Sequence, residues 1–171
     1  MPKSTPASEP ETALAVVTPS EARAAVRNAL ERITVADEDP TPRMASFILS
    51  HPPEEWDELW SKVPNVRDNA GRKVRIHTLR VRESDYEGPF GLYLIADVTW
   101  LDTGEADLLS CSSQMSIVQL VKLYMDGKLP ADVEIVAKDK PTRRGFRPIH
   151  LRYLSPGQAA LGDPGAVVST Q

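Results

Sequence analysis

Two periodicities divide the chain. Between Thr18 and Val63 apolar residues recur every three or four positions, the spacing of one helix face. From Arg72 to Leu154 they mostly alternate, the spacing of one strand face. The helical part starts sharply, with Thr18 as N-cap, Pro19 at the first helical position and Glu21 completing a capping box. Ala22, Val26, Ala29, Leu30 and Ile33 share one face of that helix, and the acidic, Pro-rich stretch from Ala36 to Pro42 ends the unit. Residues 42 to 63 read as two short helical turns broken at His51-Pro52-Pro53. Trp56, Leu59, Trp60 and Val63 form an apolar stripe there, whose expected role is packing, with base stacking as the minor alternative.

In the alternating part, Val74 and Ile76 are in phase, as are Leu79 and Val81, but the two pairs are shifted by one residue. Such a slip in a period-two pattern predicts a β-bulge or a sharp bend. A polar loop from Glu83 to Phe90 precedes a second strand, Gly91 to Leu101, with Leu92, Leu94, Ala96, Val98 and Trp100 on its core face. Asp102-Thr103-Gly104 is a hairpin turn leading to a third strand, Ala106 to Ser113. A helix follows, with Ser116 and Gln119 as a capping box and Ile117, Leu120, Val121 and Tyr124 as its buried stripe. Gly127 is its left-handed terminator and Pro130 its stop. A fourth strand covers Asp132 to Lys138 and a fifth covers Phe146 to Leu154, with Pro148 implying an edge or a bulge.

Three strands, a helix and two strands is the order of an OB-type five-stranded barrel. The expected fold is therefore mainly β with helices (α+β): an OB-type barrel with a helix between its third and fourth strands. The expected organisation is a disordered tail over 1–17, a helical annex over 18–63, the barrel over 64–154 and a flexible tail over 155–171.

Composition supports one domain with a real core: 171 residues, 41% hydrophobic. Cys111 is the one cysteine, in phase with Leu109, so it is expected to be a small buried hydrophobe and forms no internal disulfide. No Cys/His cluster has zinc spacing, no run is long and apolar enough to span a membrane, and the N-terminus lacks the apolar core of a signal peptide. A cytoplasmic location is the expectation. Phosphate loops, nucleophile elbows and paired catalytic acids are missing, so neither an enzyme nor a cofactor or metal is expected.

Charge changes the picture more than composition does. The net of −4 hides a strong segregation: residues 1–62 carry eleven acids and six bases, whereas windows 71–82 and 138–152 each carry a net of +5. A basic groove with aromatic platforms is what sequence-tolerant single-strand binding needs. The candidate contacts are Arg75, Arg80, Arg82, Lys138, Lys140, Arg143, Arg144, Arg147 and Arg152, with Tyr93 and Phe146 as stacking residues. Tyr93 is out of phase with the core face of its strand and should point outward. Phe146 either stacks on a base or closes the end of the barrel. Tyr86 and Phe90 are further aromatic candidates, Asp97 on the face of Tyr93 would repel phosphate, and His77 and His150 are assigned no chemistry.

The run from Asp97-Val98-Thr99, through a Thr-Gly-Glu turn, the small polar strand end Ser110 to Ser113, Ser116-Ile117-Val118-Gln119-Leu120, Leu129-Pro130 and Lys140-Pro141-Thr142, to Gly145-Phe146 resembles a known pattern. It is similar to small OB-fold single-stranded DNA-binding or replication-associated proteins of actinobacterial phages and mobile elements, over about the last hundred residues before the tail. The resemblance does not extend to the acidic C-terminal tip of bacterial single-strand binders, since this chain ends Val-Val-Ser-Thr-Gln. It implies non-catalytic binding of single-stranded DNA with little sequence preference, in phage or mobile-element replication or recombination. Implied partners are single-stranded DNA and either further copies of the chain or replication and recombination proteins, with no membrane. The competing expectation is a structural or protein-interaction OB module, such as a virion or complex subunit, with the acidic N-terminal segment as a contact arm.

Overall fold

A computed structural model describes residues 17–36, 38–85 and 90–156. Most of both expected tails, and Tyr86, lie outside the described residues. The fold is mixed α+β, with elements in the order α1 (Pro19–Leu30), β1 (Thr34–Val35), α2 (Pro42–Ser50), α3 (Glu58–Ser61), β2 (Lys73–Glu83), β3 (Leu92–Trp100), β4 (Ala106–Cys111), α4 (Gln114–Met125), β5 (Ala131–Ala137) and β6 (Ile149–Tyr153).

The start of α1 is as the sequence predicts. The Thr18 hydroxyl accepts from the Glu21 amide, and the Glu21 carboxylate accepts from the Thr18 amide at 2.8 Å. Val26, Ala29, Leu30 and Ile33 are buried, whereas Ala22 is exposed. The buried face of α1 joins one core cluster with Ile117, Leu120 and Val121 of α4.

β2, β3 and β4 form an antiparallel meander. Gly104 closes the β3–β4 turn at φ +74°, a region open to glycine at little steric cost, and its amide donates to the Trp100 carbonyl at 2.7 Å. The predicted bulge is present: the register of β2 against β3 shifts between Ile76 and Thr78. One face of the sheet supplies Val74, Ile76, Leu94, Ala96, Val98 and Trp100, and α4 packs its apolar stripe into this core.

The six strands run β4-β3-β2-β5-β6, with β1 pairing in parallel with the far half of β2. The sheet is not closed into the expected barrel, and the reason is visible at its two edges. At β4, the Ser110 amide donates to the Pro64 carbonyl at 2.8 Å, and the Val66 amide donates to the Ser110 carbonyl at 3.0 Å. At β6, the Gln119 carboxamide donates to the Leu151 carbonyl and accepts from the Leu151 amide, both at 2.8 Å. Ser110 on one edge and Leu151 on the other thus have their outward backbone groups bonded elsewhere, so the two edges cannot pair at those positions.

The same bonds correct the expected capping box. Ser113 is the N-cap of α4, its hydroxyl accepting from the Ser116 amide, while Gln119 serves β6 instead. Ser116 is fully buried and its hydroxyl donates back to the Ser113 carbonyl at 3.0 Å. The fifth barrel strand begins at Ile149 rather than Phe146, which leaves Phe146 in the preceding loop. β1 was not legible: two exposed residues carry no alternation.

Of the annex, α2, α3 and the residues that follow cover the opposite face of the meander, while α1 packs on the α4 side. Met44, Leu59 and Val63 bury against Ile95 and Leu108, with Phe47, Trp60 and Tyr93 packed around them. β3 is therefore sandwiched, with Leu94, Ala96 and Val98 on one side and Ile95 on the other. Packing is thus the role of Leu59, Trp60 and Val63 in the stripe. Trp56 is 43% exposed, and its indole N–H donates to the Ile48 and His51 carbonyls.

Candidate nucleic-acid interface

The β5–β6 connection, residues 138–148, is the most basic exposed segment. Its stem is closed by the Lys138 amide donating to the Pro148 carbonyl at 2.9 Å. Its tip is a tight turn: the Thr142 amide donates to the Phe146 carbonyl and the Gly145 amide to the Thr142 carbonyl, both at 2.8 Å. Gly145 sits at φ +80°, a conformation that side-chain-bearing residues rarely adopt. Lys138, Lys140, Arg143, Arg144 and Arg147 are all exposed on this loop, with Asp139 its one acid. None of the five cations makes an ion pair among the described residues. Phe146 is 59% exposed at the tip, so it does not close the end of the core.

A second element supplies a cation that lies outside both basic windows. Asn65 folds the chain back on itself, its side-chain carbonyl accepting from the Arg67 amide at 2.8 Å and the Asp68 amide at 3.0 Å. The resulting 3-10 turn, Arg67–Asn69, holds the Arg67 guanidinium 5.6 Å from the centre of the Phe146 ring. The Asn-x-x-Asp spacing at Asn65 was a usable turn signal. What the turn faces depends on how β5 registers against β2.

The remaining candidate cations are used within the fold. Arg75 forms a two-pronged pair with Asp132, at 2.7 and 3.0 Å. Arg80 reaches Asp97 at 3.4 Å and also donates to the Asp39 carbonyl. Arg152 pairs with Glu134 across β5–β6. Arg72, in the same basic window as Arg75, makes two bonds to Asp102 at 2.9 and 2.8 Å and stacks 3.7 Å from the Trp100 ring centre. Its guanidinium holds the Asp102 carboxyl below its usual value. The Arg82 guanidinium lies 4.0 Å from the Trp60 ring centre. Tyr93, expected outward, is half-buried against the annex, and Phe90 packs against the main core.

The two basic windows therefore differ in how their charge is engaged. Neighbouring carboxylates pair with Arg72, Arg75 and Arg80 of the first, and the unpaired charge of the second gathers at one loop. The expected repulsion by Asp97 is also reduced, because Arg80 and the Thr78 hydroxyl both engage it. Among the described residues no group of three or more His, Cys, Asp or Glu side chains is placed to hold a metal ion. No helix among them is long and apolar enough to cross a membrane. No family model matches the chain, and neither does any curated protein or solved structure.

Proposed function

We propose that this chain binds single-stranded DNA with little sequence preference, through the β5–β6 loop. The observation that carries the reading is the loop itself: five exposed cations with no ion pair among the described residues and one exposed aromatic ring on a tightly hydrogen-bonded turn. Cations without internal partners can neutralise phosphates and release counterions, which supplies affinity without sequence information. A ring held beside them can stack on any base. The fold agrees with this reading. Strand order β4-β3-β2-β5-β6, with α4 between β4 and β5, is that of an OB-type module left open between its third and fifth strands, and the loop corresponds to the fourth connection, a usual nucleic-acid contact of that fold. The annex occupies the sheet face that such modules also use, which concentrates binding on the loop. A role in phage or mobile-element replication or recombination rests on the sequence resemblance alone.

Replacing Arg143, Arg144 and Arg147 together with Ala should weaken binding about equally for all single-strand sequences. The salt slope should flatten by roughly 0.7 for each phosphate that is no longer neutralised. A triple variant that binds as the parent does at low salt would overturn the reading. One feature favours the second reading, a protein-interaction module: Leu49 at the end of α2 is 87% exposed, and Trp56, whose indole bonds the Ile48 carbonyl, is 43% exposed. Parent protein that shows no salt-dependent retention on single-stranded DNA would move that reading ahead.

A further inference from the structure

We infer that Arg67 and Phe146 form a slot for one unpaired base, with the guanidinium on one face of the base and the ring on the other. The inference rests on the single-strand reading above and extends it to a residue outside the basic loop. Among the described residues three arginines lie over aromatic rings, and two of those stacks are closed: Arg72 on Trp100 at 3.7 Å and Arg82 on Trp60 at 4.0 Å. Arg67 and Phe146 stand 5.6 Å apart, too far for direct stacking and too near for independence. Successive bases in a strand are spaced about 3.4 Å apart, so a base held between two planes needs roughly 7 Å between them. The guanidinium carbon and the ring centre must therefore move apart by about 1.4 Å, and the two planes turn to face each other, to admit a base.

Both partners are free to make that adjustment. Arg67 and Phe146 are exposed, and neither is packed in a core cluster. Arg67 makes no ion pair among the described residues, so no carboxylate holds the guanidinium back. Their backbones, in contrast, are fixed. Asn65 bonds the Arg67 turn, and the Asn65 segment is bridged to Ser110 on the edge of β4. Phe146 is held by the Thr142 amide. Fixed backbones carrying two movable planar groups make a preorganised clamp with little ordering cost on binding. A base paired inside a duplex presents an edge rather than two open faces, so the slot favours single strands.

The test compares a fluorescent thymidine oligonucleotide with an abasic strand of the same length and charge, using the full chain and anisotropy at two salt concentrations. The parent should bind the base-bearing strand roughly 5- to 150-fold more tightly, the range of one base–aromatic stack. Arg67→Lys keeps the charge and removes the plane, and Phe146→Leu keeps the bulk and removes the ring. Each should shrink the base-dependent factor while leaving affinity for the abasic strand and the salt slope nearly as in the parent. Thermal melts should be unchanged, because both side chains are exposed. Equal parent affinity for the two strands would overturn the slot and leave the loop reading standing. Full retention of the base preference by both variants would do the same. A parent that binds neither strand would remove the single-strand reading and the slot together.

Discussion

Gln119→Ala tests what holds the open edge of β6. The substitution removes the two 2.8 Å bonds that the carboxamide makes to the Leu151 carbonyl and amide. Each such bond contributes about 0.5–1.5 kcal/mol net, so the pair contributes about 1–3 kcal/mol. Alanine regains a few tenths of a kcal/mol through its better helix propensity within α4. The net loss should fall between about 1 and 2.5 kcal/mol, toward the upper end if water cannot reach the abandoned Leu151 groups. Gln119 is only partly buried, so its removal takes little core packing with it. Urea unfolding followed by tryptophan fluorescence gives the equilibrium value. Native-state hydrogen exchange at the Leu151 amide gives the local one, and protection there should fall more than at Ile135 in the middle of the sheet. A stability change within about 0.5 kcal/mol, the range of an ordinary surface substitution, together with unchanged Leu151 exchange would refute the edge argument.

Other consequences are equally direct. Leu120 is fully buried in the α4 stripe, so Leu120→Ala should cost about 2–5 kcal/mol in denaturant unfolding. Burial pushes the Cys111 thiol up to about 12, so it should ignore a disulfide reagent at pH 8 in the native state and react once the chain is unfolded. The Asp102 carboxyl is held below its usual value, first by its hydrogen bond from Arg72. Its contribution is therefore present above the unfolded value of about 3.9 and disappears as pH falls through the lower folded value. Asp102→Asn should flatten that part of the acid limb in urea melts between pH 2 and 5.

The local features of the fold were legible because they rest on local chemistry. The Thr18 cap, the turn at Gly104, the α4 stripe and the slip between Ile76 and Leu79 each involve residues close together in the chain. Closure of the barrel was not legible, because it is decided by Pro64, Val66 and Gln119, whose partners Ser110 and Leu151 lie far along the sequence. The interface shows the same division. Counting charges found the loop from Lys138 to Arg147, but composition could not tell those cations from Arg75, Arg80 and Arg152. The difference lies in Asp132, Asp97 and Glu134, which reach their arginines only through strand pairing. Tyr93 alternates correctly on its strand, yet its outward face is covered by the annex. Arg67 was passed over because a single arginine outside a basic window carries no signal until β5 and β6 are in place.

The bend in β2 also has a kinetic meaning. Before it, β2 pairs along one edge with β5, and beyond it the same edge pairs with β1. Glu83 and Leu92 are brought together by a short hairpin, whereas Arg75 and Asp132 lie 57 positions apart. Closing a short loop costs less entropy than closing a long one, so the meander and the β5–β6 hairpin can each form early and separately. Docking the hairpin onto β2 then carries a larger loop-closure cost than forming either hairpin. Arg67 lies just before β2 and Phe146 lies within the hairpin, so the two meet only at that step. The proposed clamp thus depends on a long-range contact, and a molecule in which the hairpin has not docked would carry the basic loop without it.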